Sequence, residues 1–374
     1  MGGMAHEQDI LAYVKGCRET FSTRPFCDAD ALALSALCYY HFENAPAVME
    51  GPSPVRIGEL YGAAERGAYL ERVAEDDGSP ELLDALVESP RFGPLALEHP
   101  SWFFSEELTA QFAALTFSLP AEGEGERLLV VYRGTDVDLV GWNEDFDLCI
   151  AEDVPAELFA LTYFEQVLAL HPGARFVLTG HSKGGTLAEY VLLNAREPDW
   201  ERIESVVVFD APGPFHLGSE ACPEFLEADA RVAERCEVRE TAFRKYLHPS
   251  MLGLLLEKRP VEGMLLVEPS REGAGHEVFA PRIVDGAIRA APCTPEQAEQ
   301  TLSLDRWAES LSLAEREAFI DGVFHRYGSR EGAPLYRGAA DNQAVMAWAM
   351  RGFLRLPPRE KRLFANAVAK APAL

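Results

Sequence analysis

The sequence of 374 residues is short of cysteine pairs, of basic residues and of long apolar runs. Its seven cysteines are dispersed without a C-x-x-C pair, which argues against a disulfide framework or a zinc site and favours free thiols in a reducing compartment. No segment approaches the roughly 18 uninterrupted apolar residues of a membrane helix, and the first residues lack the basic and apolar regions of a signal peptide. We therefore expect a cytoplasmic protein without a transmembrane segment.

The shortage of basic residues leaves a strongly acidic chain. Lysine and arginine number 34 against 60 aspartates and glutamates, giving a formal net charge of −26. Nucleic acid and anionic membranes would repel such a protein, so neither is expected as a partner. The hydrophobic content of 48% is that of a globular protein with ample material for a core, in one large α/β domain with appendages or in two ordinary domains.

A strand, a G-x-S-x-G motif and a helix follow one another between Arg175 and Ala195. The apolar run Phe176 to Leu178 leads into Gly180-His181-Ser182-Lys183-Gly184, and apolar residues then recur at helical spacing. In such a nucleophile elbow the serine has a strained backbone, and glycines flank it because a Cβ would collide with the neighbouring strand or helix. The order predicts Ser182 as a nucleophile; the alternative is a glycine-rich structural turn.

The rest of the chain predicts an α/β-hydrolase fold. Near-continuous apolar runs that alternate with helical patterns, at 128–132, 176–178, 203–209 and 264–267, indicate a mainly parallel sheet with helices on both faces. We predict a core over residues 1–294, which includes an N-terminal helical layer over residues 1–90. Residues 295–374 have a helical period and are predicted as a C-terminal helical appendage packed on the core.

A serine nucleophile needs a base and an acid, which follow it along the chain in hydrolases of this type. His276 is the predicted base, because it lies in the Gly-rich loop REGAGHEVF after the last sheet strand, from which an imidazole can reach the carboxyl edge of the sheet. His248 ends a strand and His325 lies in a tail helix, so both are interpreted as structural. The alternative for His276 is an ordinary loop histidine.

Asp210 is the predicted acid, because it closes the buried strand that follows the elbow helix, in VVVFDAPGP. A carboxylate at that position is costly unless it has a polar partner, although an aspartate that bonds its own turn amides is a common alternative. Glu268 is the runner-up, at the end of the strand that leads to His276, and Glu277 and Asp285 come after it.

The oxyanion of an acyl-transfer reaction needs two backbone N–H donors. One is expected from Lys183, the residue after the nucleophile, and the other from Thr135 in the Arg-Gly-Thr-Asp turn after an earlier strand. The hydroxyl of Thr135 is a further possible donor. The alternative is an ordinary strand-ending turn.

These motifs resemble those of known lipases. YRGTD at Tyr132–Asp136 and GHSKGG at Gly180–Gly185 are similar to the FRGT or FRGS turn and the GHSLGG elbow of the class III, fungal-type lipases, in which they supply the oxyanion hole and the nucleophile. Segments along nearly the whole chain resemble a bacterial Mbeg-like family of lipase-like hydrolases. In chain order they are FSTRPFCDADALALSALCYYHFE, YRGTDVDLVGWNEDFDL, TGHSKGGTLAEY, DAPGPF, PSMLGLLLE, GHEVFAPRI and LSLAEREAFIDGVF. The resemblance implies the α/β-hydrolase fold and no particular substrate.

Two positions depart from the class III pattern. Those lipases carry their triad aspartate after the strand that here ends YLHPS, where this chain has Pro249 and Ser250. Because this aspartate is missing, the resemblance implies that another residue supplies the acid. Asp210 lies where pancreatic-type lipases place their triad aspartate. Lys183 replaces the usual leucine of the elbow; a cation there either favours an anionic or polar substrate or pairs with a carboxylate such as Glu144 or Asp145, and we expect the pairing.

The sequence thus predicts a serine hydrolase that acts on a small-molecule ester or thioester, with Ser182, His276 and Asp210 as its triad. The apolar segment Met251–Leu256 would line or cap an acyl pocket, or form a plain core helix. Neither a metal nor an organic cofactor is implied, and the oligomeric state has no signal in the sequence. The alternative function is a degenerate hydrolase that binds an acyl ligand or a partner protein without turnover.

Overall fold

A computed structural model describes most of the predicted core and parts of the tail. The described residues are 9–44, 48, 54–60, 66–71, 73, 78–120, 125–148, 151, 153–212, 232, 236–237, 241–248, 263–272, 275–292, 310–324, 333–335 and 341–370. The apolar segment Met251–Leu256 and His325 fall outside them.

Helices precede the sheet, alternate with its parallel strands and make up the described part of the tail. In chain order they are α1 Ile10–Gly16, α2 Asp28–Leu37, α3 Arg66–Tyr69, α4 Pro80–Glu88, α5 Leu139–Asp147, α6 Pro155–Leu170, α7 Lys183–Asn194, α8 Glu197–Trp200, α9 Leu313–Val323, α10 Asn342–Arg355 and α11 Pro358–Lys370. None of these helices is long and apolar enough to cross a membrane.

The strands form one large sheet and one short hairpin. They are β1 Val55–Arg56, β2 Ala96–Ser105, β3 Ala110–Leu119, β4 Arg127–Tyr132, β5 Arg175–His181, β6 Ile203–Phe209, β7 Ala242–Leu247, β8 Met264–Val267, β9 Ile283–Val284, β10 Ala287–Ile288 and β11 Ala290–Pro292. The large sheet has the order β1-β2-β3-β4-β5-β6-β7-β8-β11, and β9 pairs with β10. Neighbours from β4 to β8 are parallel, and the outer pairs are antiparallel. This is the predicted α/β-hydrolase fold.

Apolar side chains from the two faces of the sheet enter two separate cores. One core contains α1, α2 and α4 together with sheet residues such as Val177 and Val207. The other contains α6 and α7 with the alternate residues of the same strands, Leu178 and Val206 among them. Because both faces are covered, the central strands are apolar at nearly every position, and they were predictable as unbroken runs.

Helix α2 is shorter than the apolar pattern of the sequence, which continues from Ala29 to Phe42. Helix α2 ends at Leu37, and the backbone then tightens, since the amide of Tyr39 bonds to the carbonyl of Ala36 at 3.2 Å, three residues back. Its N-cap is Cys27, whose amide donates to the Asp30 carboxylate at 2.8 Å. A capping box begins the first described helix of the tail: Ser312 and Glu315 bond reciprocally at the start of α9.

Helix α9 of the tail contacts the core through aromatic rings. Phe146 of α5 lies 5.3 Å from Phe324 and 6.5 Å from Phe319, measured between ring centroids. Cys17, Cys27, Cys38 and Cys236, which are the described cysteines, are all free thiols, as the dispersed spacing predicts.

Candidate active site

The nucleophile elbow has the strained geometry that its sequence predicts. Ser182 lies between β5 and α7 with a φ of 56° and a ψ of −132°, a conformation that L-residues rarely adopt. A Cβ on Gly180 would overlap the backbone of Gly184, and one on Gly184 would overlap the carbonyl of Tyr132. The amide of Ser182 donates to the carbonyl of Phe209 at 2.9 Å, which anchors the turn to the next strand. The turn therefore presents the serine at the carboxyl end of β5.

His276 reaches this serine from the loop after β8. Its Nε2 lies 2.8 Å from Ser182 Oγ, within hydrogen-bonding distance, and its side chain is 35% exposed. The neighbouring Glu277 fixes the loop, because its carboxylate accepts a hydrogen bond from the Gly275 amide at 2.9 Å and pairs with Arg271 at 2.5 Å. The structure thus brings the predicted base to the predicted nucleophile.

Asp210 approaches the other nitrogen of the same imidazole. Its Oδ2 lies 3.5 Å from His276 Nδ1, and the side chain is almost fully buried. Its backbone has a φ of 46°, and its amide donates to the carbonyl of Tyr246 at 2.7 Å. The amide of His248 donates to Oδ1, so the end of β7 holds the carboxylate in place. Ser182, His276 and Asp210 consequently lie in one row along the carboxyl edge of the sheet.

The other acids and bases weighed from the sequence have different surroundings. Glu268 is 61% exposed and lies 3.5 Å from Arg282, and Asp285 lies in the turn between β9 and β10, where its carbonyl accepts from Arg24. His248 contributes its amide to the site, and burial lowers the pKa of its imidazole.

The predicted oxyanion donors lie on two turns that flank Ser182. The Thr135 hydroxyl donates to Asp145 at 2.5 Å. Among the residues that the structure describes, none accepts a hydrogen bond from the amide of Thr135 or of Lys183. Lys183 follows Ser182 directly, and Gly134, the neighbour of Thr135, lies against the carbonyl of His181, so both turns are next to the nucleophile.

The Lys183 side chain is buried and paired, as expected from its position in the elbow. Its Nζ lies 3.0 Å from Glu144, 3.7 Å from Asp145 and 3.2 Å from the carbonyl of Gln111. Burial works to lower the pKa of Lys183, but Glu144 and Asp145 outweigh it and raise the pKa above its ordinary value. The ammonium is thus a charged group of the interior, and the prediction of pairing is confirmed.

Sequence reasoning missed two residues beside the imidazole. The His181 ring stacks on His276 with centroids 4.9 Å apart, and Tyr39 Oη lies 2.7 Å from His181 Nδ1. Burial, and then the charge of His276, lower the pKa of His181 well below its ordinary value, so the stacked ring is neutral. The place of His181 in the G-x-S-x-G motif is a signal that could have identified it as a neighbour of the nucleophile. No local signal identifies Tyr39, which is 142 residues away.

Two clusters in the described part of the chain have the spacing of a metal site. One is His181, Asp210 and His276 in the site itself, and the other is Glu98, His99 and His171. In the first cluster, the Nε2 of His276 faces the serine and its Nδ1 faces Asp210, an arrangement that suits proton transfer.

A comparison with models of known protein families identifies the family of the chain. A family model described as Mbeg1-like matches residues 86–325, which include all five predicted site residues. The chain belongs to the Mbeg1-like family. No curated protein matches this Mbeg1-like chain.

Solved structures similar to the Mbeg1-like chain include several lipases. M37 lipase is 12% identical with a TM-score of 0.40, over 92% of this chain and 98% of that one. A native lipase propeptide complex from Rhizomucor miehei is 12% identical with a TM-score of 0.37, over 76% and 79%. A mutant form of MDLA from Penicillium cyclopium is 12% identical with a TM-score of 0.36, over 70% and 83%.

Proposed function

We propose that this Mbeg1-like protein is a serine hydrolase that cleaves a carboxylic ester or thioester through an acyl-enzyme on Ser182. The observation that carries the proposal is the 2.8 Å contact between Ser182 Oγ and His276 Nε2. It joins a strained serine at a strand end to an imidazole 94 residues further along the chain. A structural glycine turn has no need of such a partner.

The proposed reaction has two halves. In the first, His276 takes the Ser182 proton as Oγ attacks the carbonyl carbon, and it then gives that proton to the leaving alcohol or thiol. The amides of Lys183 and Thr135 stabilise the oxyanion. In the second, His276 takes a proton from a water that attacks the acyl carbon, and it returns this proton to Ser182 Oγ as the acyl–Oγ bond breaks and the carboxylic acid leaves.

Asp210 is proposed to orient His276 and to stabilise its protonated form. The 3.5 Å between Asp210 Oδ2 and His276 Nδ1 is longer than a hydrogen bond, but such contacts in catalytic sites without substrate are often long and tighten when substrate binds. Glu268 is a weaker candidate for this role, because its side chain is exposed and close to Arg282.

The substrate class follows partly from the charges of the site. Because Glu144 and Asp145 neutralise Lys183, its ammonium is not available to bind a substrate anion. An uncharged ester or thioester therefore fits the site better than a substrate recognised through this lysine.

A fluorophosphonate probe tests the nucleophile. The wild-type protein is expected to react and Ser182→Ala to stay unlabelled, with Ser35→Ala, a buried serine on α2, as the matched control that labels normally. If Ser182 is inert to the probe throughout pH 6–9, a range around the unperturbed histidine pKa of about 6.5, the protein is instead an acyl-binding module without turnover.

A pair of amide substitutions tests the acid. Asp210→Asn is expected to lower kcat for a short-chain ester about 10³- to 10⁴-fold, the scale seen when a triad aspartate loses its charge. Glu268→Gln is expected to leave kcat nearly unchanged. A large loss with Glu268→Gln alone would transfer the role of the acid to Glu268.

A further inference from the structure

We propose that Glu98, His99 and His171 bind a divalent transition-metal ion, with Zn²⁺ preferred. These three side chains lie together at the junction of β2 with the end of α6. The two imidazole Nε2 atoms are 2.9 Å apart, and Glu98 Oε2 lies 3.6 Å from that of His171 and 3.8 Å from that of His99. Three ligand atoms of the kinds that zinc prefers therefore converge on one point.

The three distances are close to those of a zinc site. Bonds of about 2.0–2.1 Å at a tetrahedral angle place two ligand atoms roughly 3.3 Å apart. Each observed separation differs from this value by about half an ångström or less. The His99 side chain is 28% exposed, so water can supply a fourth ligand. A cation could bind here after small side-chain adjustments.

Each of the three residues also makes a hydrogen-bonding contact to a residue outside the cluster. His171 Nδ1 lies 2.8 Å from Glu126 Oε2, the carboxylate–histidine contact that accompanies most histidine metal ligands. The Ser118 hydroxyl donates to the other oxygen of Glu98. The carbonyl of His99 accepts a hydrogen bond from the Tyr163 hydroxyl at 2.8 Å.

The backbone of β2 is distorted where His99 lies. The β2–β3 register is interrupted between Glu98 and Ser101, and His99 has a φ of 48°. A bulge of this kind redirects a side chain that would otherwise alternate across the sheet. Here it lets adjacent residues, Glu98 and His99, turn toward His171, the residue directly after α6.

The proposed metal site is separate from the serine site. His171 follows α6 and its carbonyl accepts from Ala174, directly before β5, whereas Ser182 follows the other end of β5. The seven residues of β5 span roughly 23 Å at about 3.3 Å per residue. The ion would therefore fasten β2 to α6 and take no part in hydrolysis, and its presence does not depend on the proposed function.

Metal titration of the tag-free, chelator-treated full chain tests the proposal. The wild-type protein is expected to bind Zn²⁺ at this site with a Kd in the micromolar range or below, and to gain several degrees in Tm. His171→Gln and His99→Gln should each weaken binding at least 30-fold. Glu126→Gln should weaken it about 10- to 100-fold, as outer partners of ligands do. His276→Ala, which disrupts the other cluster, should bind Zn²⁺ as the wild type does.

Three results would overturn the proposal. The first is a wild-type protein that binds no Zn²⁺, which would leave His99 and His171 as a hydrogen-bonded imidazole pair. The second is binding that survives in folded His171→Gln and His99→Gln proteins. The third is binding that is lost with His276→Ala, because the ion would then occupy the serine site. The first result needs no variant, so a failure of the variants to fold leaves the test intact.

Discussion

Helix α7 contributes to two buried lysine–glutamate pairs, and their surroundings differ. At its first residue, Lys183 lies 3.0 Å from Glu144, and in its middle, Glu189 lies 3.2 Å from Lys245 of β7. All four side chains are almost fully removed from solvent. Chemistry and burial are thus nearly the same in the two pairs.

The two pairs differ in the neighbouring groups to which they are hydrogen-bonded. Glu144 also accepts hydrogen bonds from the amides of Gln111 at 3.0 Å and Ala156 at 2.8 Å, and the adjacent Asp145 binds the Thr135 hydroxyl. The Lys183 pair is therefore continuous with a turn of the proposed oxyanion hole. Glu189 and Lys245 lie inside their helix and strand, where they join α7 to β7. Burial alone does not mark a functional pair; its connection to a site loop does.

The largest expected effect is on the free energy of unfolding, and double variants distinguish the two pairs. Lys245→Met should lower the free energy of unfolding by about 3–5 kcal/mol, because it leaves Glu189 buried without its cation, and Lys183→Met should do the same to Glu144. Lys245→Met/Glu189→Met should regain part of the loss, because neither charge is then buried without the other. Denaturant midpoints of the four proteins measure this.

The second double variant sharpens the comparison. Lys183→Met/Glu144→Met should stay destabilised, because the amides of Gln111 and Ala156 lose their buried acceptor, at about 1–3 kcal/mol each. Equal recovery in both doubles would contradict the distinction and would make the two pairs equivalent.

A smaller effect is expected in catalysis at Thr135. The Thr135 hydroxyl donates to Asp145, so Thr135→Val should lower kcat only about 10-fold, through a looser turn, while the amide keeps its role. Thr179→Val is the matched control, because this buried hydroxyl donates to the Val207 carbonyl inside the sheet and should affect stability without changing kcat. A loss of about 10² to 10³ with Thr135→Val would instead assign the hydroxyl as an oxyanion donor.

Much of the fold was predictable because burial on both faces produces unbroken apolar runs. Ile203–Phe209 and Met264–Val267 begin and end where the sequence predicts. Helix α2 ends before the apolar pattern of its sequence does. The turn after the helix is also buried, so its residues are apolar too and give no sign that the backbone has changed. The boundary predicted at residues 294 and 295 remains a prediction.

The site was predictable where a polar residue follows a strand, as Ser182 and Asp210 do. The carboxyl ends of parallel strands meet at one edge, so order along the chain indicates proximity. Contacts between distant segments had no such signal. Tyr39 reaches His181 from the turn after α2, and the bulge that turns His99 toward His171 has no local motif.

Buried carboxyl groups outnumber buried cations around Lys183. This excess should make the stability of the protein depend on pH. Glu157 is fully buried close to Glu144, and its Oε2 accepts from the Val154 amide at 3.0 Å. Burial raises the pKa of Glu157 from 4.5 to about 8, with Asp153 and Glu144 adding to the rise and the Val154 hydrogen bond opposing it. The folded protein therefore holds this proton more tightly than the unfolded chain does.

The smallest expected effect follows from the sign of this shift. A raised folded-state pKa contributes stability that is fully present below about pH 4.5 and is lost as pH rises to about 8. Glu157→Gln, which mimics the protonated carboxyl, should match the wild type in Tm near pH 5 and exceed it by a few degrees near pH 8.5. A Glu157→Gln difference that does not change with pH would show that Glu157 is ionised in the fold, and the excess of buried acid around Lys183 would then not make this region sensitive to pH.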